Sequence, residues 1–143
     1  LLDPTSPGRL PEDIASALSK LRAIPDSKGI IAVSQPDFNP IWHCVVEQEG
    51  WMEDLIVEGQ SFNRRQDVPP VYRINGSLYI WRAEFVRNEV NGWRHAPHIL
   101  HIMPDVRAIH IDDISEFEKA EILVRHRWIR FPWLEKINHE NNF

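Results

Sequence analysis

The sequence predicts an α/β fold, Rossmann-like, in which a mostly parallel sheet is flanked by helices within a single domain spanning residues 1–143. Three observations predict it. Residues 11–24 carry apolar side chains at helical spacing and run through Gly29 into the short apolar strand Ile30-Ile31-Ala32-Val33, the helix-then-buried-strand rhythm of a parallel sheet. Residues 73–81 read as a second strand, followed by a short helix over 82–90 that Asn91-Gly92 ends. Residues 99–103 and 107–111 read as strands around Pro104-Asp105 and lead into an amphipathic helix over 113–127.

Each element has its own justification. In the first helix Pro11 sits in the first turn, where its missing N–H is no loss, and Glu12 and Asp13 lie at the positive end of the helix dipole. Ile14, Ala17, Leu18 and Leu21 give the face that packs. Asn39-Pro40 turns the chain, and residues 41–47 and 51–57 flank Gln48-Glu49-Gly50 as a hairpin. Residues 60–70 are polar and irregular, as a binding loop would be. In the last helix Asp113 is the N-cap, with Ile114, Phe117, Ala120, Ile122, Leu123 and Val124 mostly on one side. The aromatic tail over 128–143 opens with Trp128-Ile129-Arg130-Phe131-Pro132-Trp133-Leu134, which is expected to cover the core.

Bulk properties exclude several classes of function. A chain of 143 residues suffices for one domain. Its net charge of −5, with both signs interspersed, lacks the basic face that nucleic-acid binding requires. No apolar run approaches the ~20 residues that span a bilayer, so no membrane partner is expected. Cys44 is the single cysteine and has no internal partner, which makes a reducing, cytoplasmic setting the expectation.

The chemistry concentrates in Arg64-Arg65-Gln66-Asp67-Val68-Pro69-Pro70-Val71-Tyr72-Arg73-Ile74-Asn75-Gly76. Adjacent guanidiniums before a rigid Pro-Pro segment suit the gripping of a carboxylate or phosphate, which the planar fork bonds in pairs. The histidines suggest no zinc site. His95, His98 and His101 recur every third residue, but on a strand that spacing scatters them over both faces. His43 and Cys44 are strand neighbours with opposite directions and no oxyanion donors nearby, so they read as structural.

Three segments resemble one family in order. The run at 64–76, Leu2-Asp3-Pro4-Thr5-Ser6-Pro7-Gly8-Arg9, and His110-Ile111-Asp112-Asp113 through Phe117 are each similar to a motif of the acylneuraminate cytidylyltransferases, the CMP-sialic acid synthetases. The resemblance implies a nucleotidyltransferase that joins CTP to an acidic nine-carbon sugar, releases pyrophosphate and uses Mg2+. It further implies that Arg64, Arg65 and Gln66 line the sugar and phosphate pocket, that Asn75 and Tyr79 shape its floor, and that Asp3 and Ser6 contribute from the first motif. His110 and Asp112 fall where the family carries its metal-binding aspartates. A hairpin over about 39–57 would help form a homodimer. The family's N-terminal nucleotide-binding segment has no counterpart here, and Leu1-Leu2 reads as the tail of a strand. The chain is therefore expected to be the C-terminal portion of the larger fold, or a naturally shortened relative.

Two departures bear on chemistry. Asp3 stands where the family usually has glutamine, and a carboxylate accepts hydrogen bonds only and repels an acidic sugar. His110 stands where the family has aspartate, and imidazole suits softer metals than magnesium. These changes raise a second expectation: a catalytically silent homologue that binds a CMP-sugar or another protein. A relative acting on a different keto-sugar acid is a third.

Overall fold

The computed structural model describes residues 1–88 and 92–134. The chain divides into two compact units, one formed by Leu1–Ser34 with the residues from Ile74 on, the other by Gln35–Arg73.

In the first unit, helix α1 (Pro11–Ala23) begins with proline at its first position. The Leu10 N–H donates to Asp13 Oδ2 at 2.7 Å and closes the opening turn. The helix buries Ala17 and Leu21 beside strand β1 (Gly29–Ser34), all six of whose residues are buried. A strand covered in this way has to be a continuous apolar run, as Ile30 to Val33 is. The C-terminal flank of α1 is tied down by side chains, Ser27 Oγ donating to the Ile24 carbonyl at 2.8 Å among them. Arg82 donates to the carbonyls of Leu21, Ile24 and Ser27, satisfying acceptors that the end of α1 leaves open.

Strand β1 is the centre of a three-stranded sheet, between β4 (Arg73–Trp81) and β5 (His98–Ile102). It runs parallel to β5, from Gly29 opposite His98 to Val33 opposite Ile102. The Arg82 N–H donates to the Lys28 carbonyl at 3.0 Å, which puts the end of β4 beside the start of β1, so those two strands run oppositely. The α/β character stands, but the sheet is small and mixed where a mostly parallel one was expected. Leu1 exchanges both backbone bonds with Tyr79, at 2.7 and 3.0 Å, as a strand residue would. The core consists of Ala17, Leu21, Ile30, Ala32, Leu78 and Met103, with Ile14, Ile80 and Ile99 partly buried against it.

Other expectations change in detail. The strand expected over 107–111 is absent: Asp105–Arg107 forms a 3-10 turn, and the chain stays irregular until Asp113. The turn signal of Pro104-Asp105 extends further than its apolar neighbours suggested. Helix α3 covers Ala83–Asn88, and the end expected for it lies outside the described residues. Helix α4 (Ile114–Arg125) is capped by Asp113, whose side chain accepts the Glu116 N–H at 2.9 Å. Its apolar face is not core: only Ala120 is buried, and Ile114, Phe117 and Ile122 are each more than half exposed. In the tail, Ile129 and Phe131 are buried while Trp128 is exposed. The tail's remainder, residues 135–143, lies outside the described residues.

In the second unit, Asn39-Pro40 starts a short helix α2 (Pro40–His43) rather than a simple turn, with Asn39 accepting the Ile41 N–H at 3.0 Å. Strands β2 (Val45–Gln48) and β3 (Trp51–Asp54) then form an antiparallel hairpin. Gln48 pairs with Trp51, which leaves Glu49-Gly50 as a two-residue loop with positive φ at both positions (53° and 84°). That is the type I′ turn whose twist suits a hairpin. Among the described residues no helix is long and apolar enough to cross a membrane.

Candidate functional site

The first unit gathers residues from three distant segments around Gly76. The chain enters through a turn stapled by Asp3, whose Oδ1 accepts both the Thr5 N–H (3.1 Å) and the Thr5 hydroxyl (2.9 Å). These hydrogen bonds hold the Asp3 carboxyl below its ordinary range. Arg9 fixes the other side of the turn by donating to the carbonyls of Asp3 (2.7 Å) and Ser6 (2.6 Å). The Ser6 side chain is thereby delivered, fully buried, against β4.

Asn75-Gly76-Ser77 is the receiving surface. Asn75 Oδ1 accepts the Ser77 N–H at 3.1 Å, and the Asn75 carbonyl accepts the Ser6 hydroxyl at 3.4 Å. Gly76 has φ of +74°, which favours glycine. Space requires it too: a Cβ there would lie 3.1 Å from Ser6 Oγ, 3.7 Å from Asp3 Oδ2 and 3.9 Å from His110 Nδ1. A hydroxyl, a carboxylate and an imidazole thus converge on the bare face of one glycine.

His110 completes the arrangement. The Ile111 N–H donates to the Thr5 carbonyl at 2.8 Å, which docks this segment on the turn. Nδ1 of His110 then lies 3.2 Å from Ser6 Oγ and 3.4 Å from Thr5 Oγ1, while Nε2 lies 2.9 Å from Asp112 Oδ2. An ionised carboxylate can only accept, so Asp112 takes a proton on Nε2; Thr5 gives its one hydroxyl proton to Asp3, which leaves Nδ1 to compete with the Asn75 carbonyl for that of Ser6. The result is a hydroxyl–imidazole–carboxylate chain.

This donor set does not fit magnesium. The ion takes near-octahedral oxygen coordination, whereas here one nitrogen and one carboxylate are bonded to each other. Asp113 is occupied as the cap of α4. Among the described residues no three His, Cys, Asp or Glu side chains converge as a metal site.

Tyr79 lies further along β4 in an aromatic cluster, stacked on Trp81 (5.4 Å between centroids) and edge-on to Trp93 (5.7 Å). Burial raises its phenol, and the Asp3 carboxylate adds to the shift. Arg64, Arg65 and Gln66 belong to the second unit, where their situations differ. Arg64 is held in a two-pronged bond to Asp67 at 3.0 and 3.1 Å. Arg65 and Gln66 instead line a cavity of about 220 Å³ with Gln35, Asp37 and Asn39. Asn39 Nδ2 ties the two walls together by donating to the Pro69 carbonyl at 2.8 Å. Sequence reasoning missed this wall, since Gln35-Pro36-Asp37 reads only as the polar exit from a strand. It also missed Arg9 as the clamp of the first turn. The Arg within the first motif was the signal available.

No protein-family model matches the chain. Over 130 residues it is 28% identical to post-translational flagellin modification protein B of Campylobacter coli, covering 88% of this chain and 52% of that protein. Over 87 residues it is 31% identical to CMP-N,N'-diacetyllegionaminic acid synthase of Legionella pneumophila, covering 59% of this chain and 35% of the synthase. The resemblance to the acylneuraminate cytidylyltransferases stands. The chain spans about half the length of the first of these curated relatives and about a third of the second.

Proposed function

We propose that this protein works in the activation of a sialic-type acidic sugar, the transfer of CMP from CTP to a nine-carbon sugar acid with release of pyrophosphate. The observation that carries this reading is the convergence on Gly76 of Asp3, Thr5 and Ser6 with His110, joined in sequence order to the motifs of the resemblance. In the reaction the sugar's anomeric hydroxyl forms a bond to the α-phosphorus of CTP, the bond to pyrophosphate breaks, and the hydroxyl proton needs an acceptor. His110 Nδ1, oriented through Asp112, supplies one. Within the second unit, Arg65 and Gln66 line a cavity of their own and are groups suited to a sugar carboxylate; within the first, Asn75 borders Gly76 and Tyr79 follows it on β4. Among the described residues the implied Mg2+ has no fitting donor set, so no step is assigned to it.

A homodimer through the β2–β3 hairpin belongs to the same reading. Val45, Val46, Trp51 and Met52 leave apolar surface exposed there, as a contact surface would. A cytoplasmic location accords with CTP as the substrate.

Calorimetry with CTP and with CMP-sialic acid, each with and without magnesium, tests the proposal alongside an assay for pyrophosphate release. Arg65→Ala is expected to weaken sugar-nucleotide binding by about ten- to a hundredfold, the value of a lost charge-assisted bond. Arg64→Ala, already engaged by Asp67, should leave binding within about twofold. Binding without pyrophosphate release would select the catalytically silent homologue. Binding of neither ligand would remove the proposal.

A further inference from the structure

Outside the site, the most deeply buried titratable cluster among the described residues joins α1, β5 and the 3-10 turn at Asp105–Arg107. Asp13 is 8% exposed and His101 is 5% exposed. Arg107 grips the Asp13 carboxylate with both terminal nitrogens, Nη1 on Oδ2 and Nη2 on Oδ1 at 3.0 Å. His101 stands just outside this pair, its Nε2 3.6 Å from Asp13 Oδ1, and among the described residues neither ring nitrogen has a hydrogen-bond partner.

The cluster is mechanically continuous with the turn that carries Thr5 and Ser6. Arg107 Nη1 also reaches the Gly8 carbonyl at 3.4 Å. The backbones touch as well, since a Cβ on Gly8 would overlap the Arg107 carbonyl oxygen. Arg107 is therefore a strut with one end on α1 and the other on the residues just after Ser6.

Three charged groups face His101: Asp13 and Lys20 from α1, and Arg107 from the turn. Burial lowers the pKa of the ring, with Lys20 and Arg107 acting in the same direction, and together they outweigh the attraction of Asp13. At neutral pH the ring is uncharged and Asp13 belongs to Arg107 alone. In acid, a second cation has to share that one buried carboxylate.

We propose that Asp13, His101 and Arg107 form a pH-gated clasp: proton uptake by His101 draws Asp13 toward the imidazolium, weakens the Arg107 fork and loosens the turn over residues 5–8. The clasp couples ambient pH to the placement of the Thr5 and Ser6 hydroxyls without touching the residues that bear them.

The test needs no ligand. On the full chain, NMR follows the His101 ring and the hydrogen-exchange protection factors of the Ser6 and Ile111 amides, which donate to Asp3 and Thr5 carbonyls. Between pH 7 and 5 their protection is expected to fall at least several-fold, in step with His101 titration below the ordinary histidine value of about 6.5. In His101→Gln protection should stay flat, and in Arg107→Lys it should be low at both pH values, because the lysine keeps the charge and loses the fork. A His101 that titrates at or above the ordinary value overturns the proposal. So does protection at Ser6 and Ile111 that ignores its titration, or a loss shared equally by the Ile31 and Ala32 amides of β1, which would be global unfolding. If His101→Gln fails to fold, the wild-type titration alone decides, since ring and amides are read on one sample.

Discussion

At the scale of single residues, the site depends on Gly76 more than on any side chain around it. Its φ of +74° and the 3.1 Å gap to Ser6 Oγ act together, so Gly76→Ala meets backbone strain and a steric conflict at once. A loss of roughly 1–3 kcal/mol of stability is expected, read from the midpoint of urea unfolding. An unchanged midpoint would mean that the turn at Ser6 yields without cost. Asn75-Gly76 was legible in the sequence as the entry to a strand. That its bare face would collect Asp3, Ser6 and His110 was not, because those groups come from positions 3, 6 and 110 and meet only when β4 and the first turn are in place. Arg64 and Arg65 give the converse lesson. They are equivalent in sequence, yet Asp67, three residues after Arg64, captures that guanidinium, and Arg65 is left to line the cavity.

At the scale of elements, local chemistry explains the boundaries. Helix α4 starts where Asp113 accepts the Glu116 N–H, and the Glu116 side chain returns to the Asp112 N–H at 2.7 Å. Asp113→Ala should cost about 1 kcal/mol, measured as a lower thermal midpoint. Because Asp112 carries His110, the same variant should also disturb the His110 ring signals; a stability loss with no such disturbance would show that cap and site are independent. The hairpin makes a second case. Its strands are exposed along nearly their whole length, with Trp51 and Met52 each 76% exposed. If that surface pairs two copies, replacing Trp51 and Met52 with serine should turn a dimer into a monomer in sedimentation equilibrium. A wild-type chain that sediments as a monomer at every concentration would remove the dimer from the reading.

At the scale of the whole molecule, pH is the lever with a definite sign. Burial opposes ionisation of Asp13, but the hydrogen bonds from Arg107 and from the Leu10 N–H win and hold its carboxyl below the ordinary value. Its contribution to stability is therefore present above the unfolded value of about 3.8 and lost as pH falls through the folded one. His101 is also depressed, by burial, so the unfolded chain binds its proton first as pH drops below about 6.5. Both groups act in the same direction, and unfolding midpoints should decline in two stages, one below neutrality and one near pH 4. A single late decline would show that His101 titrates alike in both states.

What the sequence determined by itself was what short-range physics controls. Proline at the start of α1, the apolar run of β1, the Asp113 cap and the extent of β4 all follow from neighbouring residues, and so does the order of the three motifs. Tertiary structure decided the rest. The direction of β4 against β1 depends on pairing over some fifty residues, which periodicity does not encode. The outward face of α4 has the pattern of a core helix and lacks only the partner surface that would make it one. The proton on His110 Nε2 exists because Asp112 folds back onto the ring while Thr5 and Ser6 arrive from the other end of the chain, and only three-dimensional proximity can assign it.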